Sequence, residues 1–228
     1  MVSAKANVRR PVNYSQRVVD RTYTPAVGRS STARERLVDA ACELMHNRGY
    51  GSIGVAEICA SADVRKGSFY HFFESKQALT MEVIDMHWAR QRAVWVAVLG
   101  ADCPALQRIE RLVRSQVDGQ RSAKESLGVV NGCLLGNLAL ELSTQDALVQ
   151  RRLAEVFEEQ IAMVEAVLVE AESEGTIPTG RTNARGLLAQ IEGMVLFAKL
   201  ANDPDLLDDL WAHTRMLLGT VPEPARAR

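Results

Sequence analysis

The sequence lacks three features that would have pointed to other protein classes: paired cysteines, clustered histidines and a long uninterrupted apolar run. It has four cysteines and four histidines, and no two cysteines form a CxxC pair. We therefore expect no metal site, no disulfide framework and no cofactor. The richest apolar stretch, Gly186 to Ala201, is interrupted by Gln190, Glu192 and Lys199, so it falls short of a membrane span. No apolar leader segment is evident, and we expect a cytoplasmic protein without a membrane partner.

Proline and runs of β-branched residues are also scarce, which leaves the backbone free to form helices. The chain contains seven prolines in 228 residues, so few positions remove a backbone donor from a helix. Hydrophobic residues make up 47% of the chain, which is enough for a packed core and excludes global disorder. We therefore expect an all-α protein.

Positive charge is concentrated in the N-terminal third. Residues 1–80 carry 12 Lys and Arg against 7 Asp and Glu, whereas residues 81–228 carry 15 against 21. A basic third can lie on a polyanion while the rest stays in solvent. Residues 1–31 show no helical period and are predicted to be a flexible basic arm. The arm is either a tail without contacts or a non-specific phosphate or minor-groove contact. Residues 221–228 are predicted to be a disordered tail.

Three short helices are predicted in the basic third. Thr32 and Glu35 have the spacing of a capping box, which begins a helix whose apolar residues recur at every third or fourth position. Two shorter helices follow over residues 55–60 and 65–72, and the polar stretch between them is typical of a tight turn. This order predicts a helix-turn-helix domain over residues 32–77.

Residues 78–220 are predicted to form a ligand-binding and dimerisation domain made of a helical bundle. A long helix ends near Leu99 and is followed by one that ends near Val117, while the polar, glycine-containing residues 118–131 are predicted to be a loop. Thr182 is expected to cap a later helix. The remaining helices are expected over residues 133–142, 146–173, 183–201 and 204–218.

The last two predicted helices, about 183–201 and 204–218, favour contact with a second subunit. The first of them is apolar nearly all round and contains small residues that allow close backbone approach. The second offers a matching apolar stripe that includes Leu210 and Leu217. Two such helices per chain predict a symmetric four-helix interface in a homodimer. The alternative is that the first is the central helix of a monomer.

The stretch from Arg48 to Leu79 resembles the DNA-binding head of the TetR family of bacterial regulators. The features that carry the resemblance include Gly49-Tyr50, Lys66-Gly67-Ser68, Tyr70-His71, Phe73 and Lys76. The resemblance implies a dimer that binds double-stranded operator DNA through two heads and is controlled by an unknown small-molecule effector held in the C-terminal bundle.

The residue types in this stretch also suit DNA binding on physical grounds. A short helix that carries Gly67 on its exposed side lets the backbone approach a major groove, with Lys66 and Ser68 as flanking donors. Phe69 and Phe73 are expected to be core. Counterparts of Tyr70 and His71 contact phosphates in the family. The candidate DNA-binding residues are Gly54, Arg65, Lys66, Gly67, Ser68, Tyr70, His71 and Lys76.

Two of these positions depart from the family pattern. Gly54 stands where a hydroxyl residue often caps the second helix, so a capping group and a phosphate contact are lost. Arg65 stands where Ser or Thr often begins the recognition helix. An arginine there either reads a guanine through two hydrogen bonds or adds one more phosphate contact.

The segment Asn131 to Glu141 resembles the AcuR/NemR-like branch of the family, whose members respond to acrylate and to electrophiles. Cys133 would then lie near a helix N-terminus, where the dipole lowers a thiol pKa and favours a reactive sensor. The alternative is an ordinary buried cysteine, and Cys103 is a second candidate thiol. The candidate ligand-binding residues are Trp88, Trp95, Cys133, Asn137, Phe157, Gln190, Met194 and Phe197, with Glu192 as a further polar partner; plain packing is the alternative for each.

These features together predict a homodimeric repressor that binds a palindromic operator and is released by a small molecule or a reactive electrophile. Whether it represses or activates depends on operator position, which the protein does not encode. One competing hypothesis is a small-molecule-binding or adaptor protein whose head does not bind DNA. Another is a helical enzyme, but no nucleophile–base pair, metal cluster or phosphate loop has meaningful spacing, so we expect no enzymatic activity.

Overall fold

The computed structural model describes residues 32–220, so the predicted arm at 1–31 and tail at 221–228 lie outside the described residues. The described chain is all-helical, as predicted. Its elements are α1 (Ala33–Arg48), α2 (Val55–Ser61), α3 (Lys66–Phe72), α4 (Lys76–Leu99), α5 (Ala105–Leu127), α6 (Leu134–Leu142), α7 (Ala147–Ser173), α8 (Ala184–Ala201), a 3-10 turn (Pro204–Leu207) and α9 (Leu210–Leu218).

Helices α1 to α3 form the small head, and their ends lie close to where the sequence predicts them. The Thr32 side chain accepts from the Glu35 backbone N–H, and the Glu35 carboxylate accepts from the Thr32 N–H at 2.7 Å. The predicted capping box is thus confirmed. Between α2 and α3 the chain turns at Asp63, which has φ 53°, a left-handed conformation that Asp tolerates better than most residues.

The larger body is built around α4, α5 and α7, which pack on one another. Trp88 and Trp95 of α4 are buried and meet edge to face with ring centroids 5.8 Å apart. Helices α8 and α9 pack together at one side of this bundle, and α6 touches both α7 and α1. The body therefore contacts the head through α6 as well as through the N-terminal half of α4.

The predicted loop over residues 118–131 is wrong for most of its length, because α5 continues to Leu127. Gly119 does not end this helix, since Val117 and Ala123 lie on its buried side. Gly128, with φ 78°, ends it instead. The polar residues of the stretch face outward or make specific contacts: Gln120, for example, exchanges two hydrogen bonds with the Gly132 backbone.

One further helix cap and one further helix also differ from the sequence prediction. Asn183 rather than Thr182 caps α8, through a hydrogen bond from the Gly186 N–H to its side-chain oxygen. The predicted helix over 204–218 is divided into a 3-10 turn and α9. In residues 32–220, no helix is long and apolar enough to cross a membrane.

Candidate functional site

Helix α3 is anchored by aromatic side chains and leaves its opposite face uncovered. Phe69 is fully buried, and Phe73, which ends the helix, is 4% exposed. Their rings lie 5.7 Å apart and fix how α3 sits on the head. Arg65 and Lys66, by contrast, are exposed at the start of the helix. A cationic, solvent-facing helix end therefore stands on a rigid aromatic base.

The exposed side of α3 has room for another molecule's surface. A Cβ added at Gly67 would meet no described atom within 4 Å, so its backbone is bare. Ser68 is half-buried beside it, and Tyr70 and His71 are exposed at the other end of the helix. Gly54, at the start of α2, is also open, and it offers no side chain to cap that helix. This geometry is compatible with the predicted DNA contacts, whose roles stay predictions.

Lys76 is the predicted DNA-binding residue that the structure places differently. Its ammonium donates to the carbonyl oxygens of Tyr50 and Ile53, each at 2.9 Å, and lies 3.7 Å from the centre of the Tyr50 ring. Burial lowers the pKa of Lys76, and the Glu141 carboxylate acts in the opposite direction. An ammonium has three donors, so these contacts leave one for a phosphate. Most of the hydrogen-bonding capacity of the Lys76 ammonium is thus used within the protein.

A cavity of about 280 Å³ lies between α6, α7 and α8. Three of the predicted ligand-binding residues, Cys133, Asn137 and Phe157, line it, and so does Glu192. Lys199 also lines it, and its ammonium donates to the Asn137 side-chain oxygen at 2.9 Å. The remaining lining residues are Gly132, Gly136, Ala139, Leu140, Gly193, Val195 and Leu196. An apolar wall with a few convergent polar groups is typical of a small-molecule site.

The prediction of a lowered pKa for Cys133 is wrong. The thiol does cap α6, accepting from the Gly136 N–H at 3.3 Å, and this contact favours the thiolate. Burial and the nearby Glu192 carboxylate act more strongly and raise the pKa of the thiol well above its usual value. Glu192 is itself enclosed, and burial raises the pKa of its carboxyl group. The helix dipole is therefore outweighed, and Cys133 is protonated at neutral pH.

Five of the predicted ligand-binding residues are not among those that line the cavity. Trp88 donates through its indole N–H to Glu159 at 2.7 Å. Trp95 is packed against Trp88. Gln190 accepts from the Thr214 hydroxyl on α9. Met194 contacts His213, and Phe197 is 63% exposed. A role for these five in binding an effector stays a prediction that the geometry does not favour.

Sequence reasoning missed Lys199 as a cavity residue. Its position carried a signal, since it is a cation within an otherwise apolar helix that the sequence analysis had noted as an interruption. Burial lowers the pKa of Lys199, which reflects the cost of holding a charge beside the cavity. Cys103 lies in the turn before α5 and is not among the residues that line this cavity.

Comparisons with known proteins find relatives over both the head and the body. Residues 37–83 match the family model for bacterial regulatory proteins of the tetR family, and residues 105–214 match that for the tetracyclin repressor-like C-terminal domain. The chain is 30% identical over 184 residues to the transcriptional regulator AcuR of Cereibacter sphaeroides, covering 78% of this chain and 81% of that protein. It is 29% identical over 182 residues to the HTH-type transcriptional repressor DhaR of Mycobacterium sp. (strain GP1), covering 77% and 86%.

A solved structure of a relative has the same fold. The reduced form of Escherichia coli NemR superposes with a TM-score of 0.72 at 25% identity, covering 83% of this chain and 99% of that one. These relatives are transcriptional regulators rather than enzymes. The match spans both the head and the body.

Proposed function

This chain belongs to the TetR family of bacterial regulatory proteins, and we propose that it represses transcription by binding a palindromic operator as a homodimer. Regulators of this family bind operator DNA, generally as dimers. A small molecule that enters the cavity releases the operator by favouring a dimer in which the two α3 helices no longer match adjacent major grooves, which lie about 34–36 Å apart.

The exposed face of α3 is the observation that carries this proposal. Arg65, Lys66 and the bare backbone of Gly67 project from a helix held by two aromatic side chains. Major-groove recognition needs a short rigid helix with donors and no bulk at its closest approach. Tyr70 and His71 lie exposed on the same helix, where they suit contacts with phosphates.

The dimer proposal rests on an uncovered apolar face of α8 and α9. Leu196, Phe197 and Leu200 on α8 are 50%, 63% and 79% exposed, and Met216 on α9 is 66% exposed. Exposed apolar side chains concentrated on one helix pair suit contact with the same pair of a second chain. We assign the homodimer interface to this face.

The effector proposal rests on the cavity between α6, α7 and α8. A volume of about 280 Å³ suits a small compound, with Lys199 and Asn137 as polar partners. Because the Cys133 thiol is protonated, reversible binding of a ligand fits this geometry better than rapid reaction with any electrophile. Electrophile sensing therefore requires a compound that first occupies the cavity.

The DNA-binding proposal is tested with an operator selected from random duplexes. We expect binding to weaken steeply with salt, and Lys66→Ala to lower affinity about tenfold and to reduce the salt slope by about one. Arg111→Ala is the matched control, because Arg111 is an exposed cation on α5, in the body rather than in the head. A parent chain that selects no sequence would instead support the adaptor hypothesis.

The thiol hypothesis is tested by measuring how N-ethylmaleimide changes operator binding. If Cys133 senses electrophiles, the reagent releases the parent protein from DNA but not the Cys133→Ser variant. Cys103→Ser serves as the control, since Cys103 is outside the residues that line the cavity. Because the raised pKa disfavours the thiolate, we expect this release to be slow. Equal release of the parent and Cys133→Ser dismisses Cys133.

A further inference from the structure

Helix α6 joins the cavity to the head through one side chain at each end. Its first turn carries Cys133, Gly136 and Asn137 on the cavity wall. Near its other end, the Glu141 carboxylate accepts two backbone hydrogen bonds from the turn between α1 and α2. Tyr50 N–H donates to one carboxylate oxygen at 2.8 Å, and Gly51 N–H to the other at 2.5 Å. The donors and the carboxylate are 90 residues or more apart in sequence.

The turn is shaped to receive this carboxylate. A Cβ at Gly51 would lie 2.8 Å from one Glu141 oxygen, and a Cβ at Gly49 would lie 3.1 Å from the other. Gly49 also has φ 81°, a conformation that other residues rarely adopt. Any larger residue at position 51 would therefore displace the carboxylate. Both glycines thus serve the contact with Glu141.

The same turn is held from its other side by Lys76. Tyr50 N–H donates to Glu141, while Tyr50 C=O accepts from the Lys76 ammonium. A single residue thus has a carboxylate at its donor and a cation at its acceptor, and hydrogen bonds that involve a charged group are the stronger kind. A shift of Glu141 would therefore be transmitted to the backbone of the head.

Neighbouring contacts strengthen the same junction. His46 of α1 lies within hydrogen-bonding distance of the Gly132 carbonyl, at 3.0 Å, and the Asn131 side chain donates to Asn47 at 2.8 Å. Both partners in the body lie in the segment that leads into α6. The ion pairs Arg34–Glu82 and Arg90–Asp39, by contrast, join α1 to α4. Segment 131–141 thus touches both the cavity and the end of α1.

We propose that Glu141 is a positioning residue: it sets the orientation of the head and passes movement of the cavity helix α6 to α3. This inference rests on the proposed function, because operator binding is its readout. Removal of the carboxylate would leave the cavity, the α8 face and the exposed side of α3 unchanged, and would affect how the head is held.

Glu141→Gln is the variant that tests positioning. The amide has the same size but offers one oxygen acceptor, and its NH₂ group would face a backbone N–H. Glu165→Gln is the matched control, since Glu165 is exposed on α7 and its loss changes net charge by the same amount. We expect operator affinity about tenfold lower for Glu141→Gln than for Glu165→Gln, with equal affinities for unrelated DNA.

Hydrogen exchange provides a readout that does not depend on DNA. Exchange at the Tyr50 and Gly51 amides should be at least about tenfold faster in Glu141→Gln than in the parent, with amides in the centre of α7 unchanged. Circular dichroism and molecular size confirm that the variants are folded and dimeric. Equal operator affinity for the two Gln variants, or unchanged exchange at these two amides, overturns the positioning role.

A double-mutant cycle tests whether Glu141 transmits movement from the cavity. A Cβ at Gly136 would lie 2.6 Å from a Glu192 oxygen, so Gly136→Ala displaces the Glu192 carboxylate and changes the cavity wall at the first turn of α6 without a ligand. We expect it to change operator affinity at least threefold in the parent and less than twofold in the Glu141→Gln background. Additive effects, or no effect in the parent, overturn the transmission. Failure of the parent to bind any selected operator would instead refute the proposed function, and the exchange experiment would still judge the Glu141 contact.

Discussion

Helices α3 and α8 each leave one face uncovered, but the two faces differ in chemistry. Arg65, Lys66 and Gly67 of α3 present charge and bare backbone, whereas Leu196 and Leu200 of α8 present apolar surface. Donors on a rigid helix suit phosphates and base edges, while apolar area gains free energy by leaving water. Exposure alone therefore does not identify a partner; the chemistry of the exposed atoms favours DNA as the proposed partner of α3 and a second chain as that of α8.

The two helices also differ in what lies behind them. Behind α3 are Phe69 and Phe73, which belong to the core of the head. Helix α8 instead contributes Glu192 and Lys199 to the cavity wall while Leu200 points to solvent. A ligand in the cavity would therefore touch the helix proposed for the dimer interface directly, and the proposed role of Glu141 would link it to α3 through α6 and the turn at Tyr50.

A charge placed on the α8 face tests whether this face forms the dimer interface. We expect Leu200→Asp to convert the dimer to a monomer and to lower operator affinity by about 100-fold or more, because two linked heads bind with an effective concentration that one head lacks. The chain itself should stay folded, since Leu200 is 79% exposed. Sedimentation and fluorescence anisotropy measure the two effects.

Val169→Asp is the matched control for that substitution. Val169 is 54% exposed on α7, outside the proposed interface. It should leave both the dimer and operator binding intact. If Leu200→Asp stays dimeric with full operator affinity, or if both variants dissociate equally, the assignment of the α8 face is incorrect.

On the α3 face, Arg65→Ala separates the two roles that are open for this residue, a base contact and a phosphate contact. We expect a loss of about tenfold in operator affinity, since one good contact between Arg and guanine contributes about 1–3 kcal/mol of discrimination. If Arg65 reads a base, the loss is confined to one operator position and specificity there relaxes. If it contacts a phosphate, affinity falls uniformly and the salt slope decreases by about one.

Binding measurements on a panel of operators with single base changes distinguish these outcomes. Lys66→Ala is the comparison variant, because both residues are exposed at the same end of α3. An Arg65→Ala variant with the parent's affinity and preferences at every position would remove Arg65 from the DNA-binding face.

The head could be predicted from sequence because its determinants are local. The capping box at Thr32 and Glu35, the turn at Asp63 and the aromatic spacing of Phe69 and Phe73 all act within a few residues of one another. The end of helix α4 at Leu99 was also predicted, in agreement with the structure, because Gly100 follows a long amphipathic pattern.

The cavity and the head–body junction could not be predicted in this way, because they depend on contacts between distant residues. Lys76 looks like a phosphate ligand in sequence, and its carbonyl partners on Tyr50 and Ile53 appear only when the head is folded. Cys133 is at a helix N-terminus as predicted, yet its pKa is set by burial beside Glu192, 59 residues later in the chain. Local pattern gives the position of a group, and tertiary contacts give its environment.

Two histidines lie at the junction between the head and α4. His46 of α1 and His87 of α4 face each other with ring centroids 6.3 Å apart. Burial lowers the pKa of His46 to about 4, although its contact with the Gly132 carbonyl acts in the opposite direction. Burial also lowers the pKa of His87 to about 3, and the Arg90 cation acts in the same direction. The folded protein therefore holds both imidazoles neutral, whereas the unfolded chain takes up protons near pH 6.5.

The sign of the pH dependence follows from this difference. The stability that the neutral pair contributes is fully present above pH 6.5 and is lost as the pH falls from 6.5 towards 4, because the unfolded state then binds more protons. Each histidine lowers the free energy of unfolding by at most about 1.4 kcal/mol per pH unit in that window. Urea unfolding at pH 7.5 and 5.5 should show the loss, and His87→Gln should reduce it. His71→Gln, at an exposed position on α3, should retain the parent's pH dependence; equal dependence in all three proteins would mean that the junction between the head and α4 carries no titrating histidine.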